Sequence, residues 1–137
     1  MYSKGGDMGV AIVLSNTAGV PIYEQIKQQI RDAILSGELE TDEALPSIRV
    51  LARDLRVSVI TTTRAYADLV TEGFVANVPG KGYFVLPRDA QLVREQVLRE
   101  VEEHLGNAAS RARLIDLTPD DLHQMLDTLI DTPWEEQ

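Results

Sequence analysis

The chain contains no cysteine, which excludes disulfides, thiolate metal sites and cysteine nucleophiles and suits a reducing compartment. Aromatic residues make up only 5% of it, so any core must be largely aliphatic. No apolar run approaches the roughly 18 residues that a membrane span needs. Nor is there a basic start followed by an apolar stretch and a small-residue cleavage site. The expectation is a cytoplasmic protein with no membrane partner. His104 and His123 are the only histidines. Each lies near acids (Glu100, Glu103, Asp127), but a lone histidine on an acidic helix is not a ligand set, so no metal or other cofactor is expected. No Ser/His/Asp set or phosphate loop is visible, and the stretch after Pro87 is too short for a cofactor domain, so an enzyme is not expected.

Positive charge is also in short supply: 13 Lys+Arg against 22 Asp+Glu give a net of −9. The deficit is uneven. Residues 1–87 hold 8 bases and 10 acids, whereas residues 88–137 hold 5 and 12. Between Arg49 and Lys81 the balance turns to +2, with Arg49, Arg53, Arg56, Arg64 and Lys81 against Asp54, Asp68 and Glu72. The acidity therefore sits in the tail. A chain of 137 residues has room for one modest core, or one small domain with an appendage.

Residues 1–9 are polar and glycine-rich, which predicts disorder; Met8 offers an alternative start for the ordered chain. Residues 10–14 (VAIVL) have the length and apolarity of an edge strand. Pro21 suits the opening of a helix, and Ile22, Ile26, Ile30, Ala33 and Ile34 form one apolar stripe that stops at Gly37. Glu24, Lys27, Gln28, Arg31 and Asp32 take its other faces. An acidic loop, 38–44, leads to Pro46. Ser47 caps a second helix over 48–55 with Ile48, Leu51, Ala52 and Leu55 inward. After a tight turn at Arg56-Val57, Ser58 caps a third helix over 59–72 that ends at Gly73. Thr62, Ala65, Tyr66, Leu69 and Val70 share its inward face. Two strands follow, 74–78 and 83–86, joined by a Pro79-Gly80-Lys81-Gly82 tip.

Beyond Pro87, residues 88–105 read as a helix with Ala90, Val93, Val97, Val101 and Leu105 in line. A kink is expected at Gly106-Asn107, with helix continuing over 108–115. Thr118-Pro119-Asp120-Asp121 is a strong helix start, followed by Leu122, Met125, Leu126, Leu129 and Ile130. Residues 131–137 are acidic and read as a frayed end. About 50 residues in two or three helices do not close a core alone. Val93, Val97, Val101, Leu105, Leu122, Met125, Leu126 and Leu129 are therefore the candidate dimerisation surface, covered by a second copy of the chain.

The start of the third helix has the parts that groove reading requires: short side chains for base edges, hydroxyls for phosphates, and free N–H groups at a helix N-terminus. Ser58, Thr61 and Thr63 supply hydroxyls. Val59 and Ile60 suit the C5-methyl of thymine, the one apolar feature of the major groove. Arg49 reaches a phosphate or a guanine, and Arg64 a phosphate. The Gly80-Lys81-Gly82 tip is slim enough for a minor groove. Arg53 and Arg56 read as solvated.

The segments LPSIRVLARDL, VSVITTTRAYADLVTEGF and VPGKGYFV resemble the winged helix-turn-helix of the GntR family of bacterial transcription regulators, over about residues 20–86. PIYEQI and the short tail are similar to the YtrA subfamily. The resemblance implies a mainly α fold with a small β-wing, in three parts: 1–9 disordered, 10–87 the winged helix-turn-helix (core 20–86), and 88–137 a helical dimerisation tail. It further implies a homodimeric repressor binding an inverted repeat in double-stranded DNA. The family's DNA-contacting positions fall on Ser47, Arg49, Ser58, Val59, Ile60, Thr61, Thr63, Gly80 and Lys81. Where many members carry a basic residue near positions 59 and 63, this chain has Val59 and Thr63, so an A·T-leaning half-site is expected. Any small-molecule effector would sit at the dimer seam or the hinge at 86–89; the residues name none. The alternative, favoured by the net charge, is a winged-helix module for protein–protein contact.

Overall fold

A computed structural model describes residues 2–4, 11–16 and 19–132. The frayed end expected at 131–137 lies mostly outside these residues, as does most of the start. The chain divides into two compact units, Met1–Asp89 and Ala90–Gln137.

In the first unit two short antiparallel strands, β1 (Tyr2–Lys4) and β2 (Ala11–Val13), precede three helices, α1 (Ile22–Ser36), α2 (Ile48–Leu55) and α3 (Val59–Thr71). A hairpin of β3 (Val75–Val78) and β4 (Gly82–Val85) follows. Residues 2–4, expected to be disordered, instead pair with β2, because backbone hydrogen bonding along an edge does not depend on side-chain polarity.

The aliphatic stripes converge as their spacing predicts. Ile26, Ile30, Ala33 and Ile34 of α1 pack with Leu51 and Leu55 of α2, Ala65, Tyr66 and Leu69 of α3, and Phe74, Val75 and Val85 of the hairpin. Ile12 and Leu14 of the N-terminal arm plug the same core. Two glutamines one turn apart on α1 grip that arm by its backbone. The Gln29 amide accepts from the Val13 N–H (2.9 Å) and donates to its carbonyl (2.7 Å). The Gln25 amide does the same at Ser15 (2.9 and 2.7 Å) and also donates to the Val20 carbonyl (2.8 Å). A carboxamide offers the same donor–acceptor pair as a peptide group, so this face of α1 acts on the arm as a neighbouring strand would.

Four residues depart from the sequence reading. Val70 is 37% exposed, at the margin of the inward face. Arg31, placed with the polar faces, is buried over Phe74. Leu39, inside the acidic loop, is buried in the core. Ala44, in the same loop, bridges Phe84, and the flanking backbone bonds make residues 42–45 a second antiparallel partner of β4 beside β3: Leu45 N–H to the Tyr83 carbonyl and Val85 N–H to the Glu43 carbonyl, both 2.9 Å. Each segment satisfies its tertiary neighbours in spite of its composition.

The second unit consists of α4 (Ala90–Leu114) and α5 (Pro119–Asp131). The helical hydrogen bonding is not interrupted at Gly106-Asn107; α4 is one helix of 25 residues, about 37 Å at 1.5 Å per residue. α5 starts at a capping box in which the Thr118 hydroxyl accepts from the Asp121 N–H (3.1 Å) and the Asp121 carboxylate accepts from the Thr118 N–H (3.0 Å). The bond from the Thr118 N–H, with the Thr118 hydroxyl nearby, holds the Asp121 carboxyl below its ordinary pKa. Only Ala112 is buried in α4, and no residue of α5 is.

Candidate nucleic-acid interface

The three parts of the expected reading head are held together by one residue, Tyr66. Ser47 caps α2, its hydroxyl accepting from the Val50 N–H (3.2 Å). Just before it, the Pro46 carbonyl accepts the phenolic O–H of Tyr66, from the middle of α3, at 2.7 Å. The Tyr66 ring meets the Tyr83 ring of β4 edge to face, with centroids 4.9 Å apart. One buried tyrosine therefore ties α3 both to the start of α2 and to the wing, and burial pushes its phenol well above the usual range. The sequence reading placed Tyr66 on the inward face; its hydroxyl was the one signal that it does more than fill space.

The turn between α2 and α3 is closed by Arg56 in the left-handed region, at φ 58°. Its N–H reaches the Arg53 carbonyl at 3.2 Å, and the Val57 N–H the Ala52 carbonyl at 3.0 Å. Ser58 then caps α3, its hydroxyl oxygen accepting from the Thr61 N–H (3.0 Å). Such a cap contributes about 1 kcal/mol to helix stability.

The hydroxyls at this end differ in what they leave available. Ser58 O–H donates to Thr61 Oγ1 (2.7 Å), Thr62 O–H to the Ser58 carbonyl (3.2 Å) and Thr63 O–H to the Val59 carbonyl (2.7 Å). The hydrogens of Ser58 and Thr63, expected to face phosphates or bases, are thus turned inward. A hydroxyl has one donor, so the Thr61 hydrogen is the one in this set that these bonds leave unused. Beside it stand Val59, 41% exposed, and Ile60, 83% exposed.

Three bases surround this face. Arg49, on the first turn of α2, is exposed and makes no hydrogen bond or ion pair among the described residues. The partners that would have made it a surface bridge are taken: Asp54 pairs with Arg53 (3.3 Å), and the Glu43 carboxylate accepts from the Glu40 N–H (3.0 Å). The Arg64 guanidinium lies over the Tyr23 ring of α1, its central carbon 3.8 Å from the centroid. Stacking orders a guanidinium and leaves its in-plane N–H groups at the edge. Lys81 is exposed at the wing tip between Gly80 (φ 78°) and Gly82 (φ 115°), and its N–H closes the turn on the Val78 carbonyl (2.9 Å).

The far half of α3 is fixed to α1 by Lys27, whose ammonium lies 2.9 Å from Glu72, 3.3 Å from Glu24 and 3.9 Å from Asp68. The hydrogen bond to Glu72 is the main cause that raises the Lys27 pKa. Lys27 lies on a polar face of α1 three residues after Glu24; its partners Asp68 and Glu72 come within reach only when α1 and α3 cross. At the end of the unit, Arg88 stacks on Phe74 (3.9 Å) and donates to the Gly73 carbonyl (2.7 Å); burial, with Arg31 nearby, lowers its pKa.

In the second unit the candidate dimerisation residues Val97, Val101, Leu105, Met125, Leu126 and Leu129 are exposed, and Val93 and Leu122 half-buried. Leu105, Leu122, Met125, Leu126 and Leu129 line a groove of about 420 Å³ with His123 at its edge. His104 is outside this lining. No helix among the described residues is long and apolar enough to cross a membrane.

Residues 22–85 match the family described as bacterial regulatory proteins, gntR family. The chain is 27% identical over 115 residues to the HTH-type transcriptional repressor YtrA of Bacillus subtilis, covering 84% of this chain and 88% of that protein. It is 37% identical to YtrA from Sulfolobus acidocaldarius, a GntR-family transcription factor of solved structure, with a TM-score of 0.54 over 66% of this chain and 97% of that one. A transcriptional antiterminator from Listeria monocytogenes EGD-e superposes with a TM-score of 0.72 at 25% identity, covering 90% and 92%. The chain spans 21 to 43% of the length of the first curated relatives it matches.

Proposed function

Since the chain belongs to the gntR family of bacterial regulatory proteins, and to its YtrA-like branch, we propose that it is a cytoplasmic, homodimeric transcriptional repressor reading an inverted-repeat operator. The observation that carries this is the composite face at the starts of α2 and α3. A cation without an ion-pair partner among the described residues (Arg49), an exposed helix N-terminus and an unused hydroxyl donor (Thr61) are held on one tyrosine-pinned frame. In this reading α3 enters the major groove. Ser47, Arg49 and Arg64 address phosphates or a guanine, Val59, Ile60 and Thr61 face base edges while Ser58 and Thr63 hold the helix start beside them, and Gly80-Lys81 follows the minor groove.

The dimer is made by the second unit. Its exposed stripe (Val97, Val101, Leu105, Met125, Leu126, Leu129), with half-buried Val93 and Leu122 beside it, needs an apolar partner, and a second copy presents the same stripe. Two heads then meet successive major grooves about 34 Å apart.

Genomic fragments retained by the full chain, followed by fluorescence anisotropy on the recovered duplex, test the proposal. Arg49→Ala and Thr61→Ala are expected to weaken the specific complex about 10-fold or more with unfolding unchanged. Log affinity is expected to fall with log salt at about 0.9 per phosphate contact, and Leu126→Glu to give a monomer in sedimentation. Weak binding that is uniform across sequences would instead favour a protein-contact module.

A further inference from the structure

We infer that the start of α3 discriminates bases chiefly by their C5-methyl group, with Ile60 as the main reader and Val59 beside it, so that thymine and 5-methylcytosine are preferred over uracil and cytosine. The inference rests on the DNA-reading proposal above and deepens it.

Base reading in the major groove uses either paired hydrogen bonds or apolar contact. The five residues from Val59 to Thr63 include no amide, guanidinium, imidazole or carboxylate, so no side chain there makes a two-pronged hydrogen bond to a base edge. The structure narrows the rest. Thr62 is buried, and the hydroxyl hydrogens of Thr62 and Thr63 return to carbonyls one turn back. That leaves one unused donor, on half-buried Thr61, against two β-branched side chains of which Ile60 is 83% exposed. Arg64, the nearest base on the helix, lies over Tyr23.

A β-branched side chain in a helix holds essentially one χ1 rotamer. Ile60 therefore presents a fixed methyl surface that loses little side-chain entropy when covered. The same branching makes Val59-Ile60-Thr61 a poor helix start by propensity, which the Ser58 cap offsets. Among the four unmodified bases only thymine projects a methyl into the major groove, from C5, and 5-methylcytosine places one at the same position. An apolar reader recognises that methyl whichever exocyclic group lies next to it. The two pyrimidines differ at the 4-position, which selects hydrogen-bonding side chains and leaves the Ile60 contact unchanged.

The test starts from the duplex motif that the full chain selects from a random-sequence pool. Affinity is then measured on synthetic copies carrying thymine or deoxyuridine at each position. Burying one methyl is worth about 0.8 kcal/mol, so deoxyuridine at a contacted position is expected to weaken binding about 4-fold, and about 15-fold when both half-sites are changed. With cytosine placed at that position, 5-methylation is expected to recover part of the loss. Ile60→Ala, at an exposed position that leaves folding intact, is expected to bring the thymine-to-uracil ratio close to one. A converged motif bound equally with thymine and with uracil at every position overturns this inference and leaves the DNA-reading proposal standing. A pool that converges on no motif overturns that proposal, and this inference with it.

Discussion

Replacing Tyr66 by phenylalanine removes one oxygen and isolates the bond that pins α3 to α2. The ring stays, so the edge contact with Tyr83 and the packing of a fully buried side chain are preserved. What is lost is the 2.7 Å bond to the Pro46 carbonyl, which is left without its partner. Losing a hydrogen bond between a buried hydroxyl and this partly buried acceptor costs about 1–2 kcal/mol. For a domain of 60–100 residues each kcal/mol moves the melting temperature by about 4–8 °C. The sign of the pH dependence follows from burial, which raises the Tyr66 pKa above its ordinary value of 10.0. The unfolded chain then releases the phenolic proton before the folded one does. The hydroxyl's contribution is complete below pH 10 and is lost as pH rises through the folded value. At about one unit above the unfolded pKa the wild type has lost about 1.4 kcal/mol that the Phe variant keeps. Urea unfolding followed by circular dichroism, on both proteins from about pH 8 to pH 11, is the assay. The expected result is a gap of about 2 kcal/mol at pH 8 that narrows to less than 1 kcal/mol at about pH 11. Groups common to both proteins cancel in that difference. A gap that stays constant over the range would refute the burial argument, and no gap at pH 8 would refute the bond.

Two further predictions concern α1. Lys27→Met removes the cation shared by Glu24, Asp68 and Glu72 and is expected to cost about 1 kcal/mol at low salt, shrinking toward zero at about 1 M salt. Lys27 has a raised pKa, so its contribution is complete below 10.5 and falls above it; the lowered pKa of Glu24, due first to the Gln28 hydrogen bond, makes its share fade below 4.5. A stability difference independent of salt would contradict the ion-pair account. Gln29→Ala removes both bonds to Val13, so the Val13 amide is expected to exchange with solvent about 10-fold or more faster by NMR, while amides in the middle of α3 keep their protection. Unchanged exchange at Val13 would mean that Ile12 and Leu14 hold the arm without the carboxamide.

The second unit is unlike the first in how its apolar surface is used. The first buries its aliphatic stripes in its own core, whereas α4 and α5 leave Leu92, Val97, Leu98, Val101, Leu105, Met125, Leu126, Leu129 and Ile130 exposed. Patches of this kind on a folded chain mark contact surfaces. Acidic residues interleave with the stripe, with 12 acids against 5 bases over residues 88–137.

By itself the sequence determined every element whose signal is local. Ser47, Ser58 and Thr118 each cap the helix that their hydroxyls announce, because a cap bonds a backbone N–H three residues away and needs no distant partner. Helical spacing on α1, α2 and α3 marks the residues that become core, and the glycine-flanked Lys81 marks the wing tip. Tertiary structure alone decided what depends on residues far apart in the chain. Tyr66 finds Pro46 and Tyr83, Gln25 and Gln29 find the arm, Lys27 finds the acids of α3, and Arg64 finds Tyr23. The acidic loop becomes a strand partner of β4 through backbone groups that no side-chain pattern records. Gly106 passes unnoticed inside α4, since a glycine weakens a helix by less than continuous hydrogen bonding holds it. At the reading face both levels were needed. The residues from Ser58 to Thr63 name the side chains, but only folding shows which hydroxyls are turned inward and that Ile60 is left facing out.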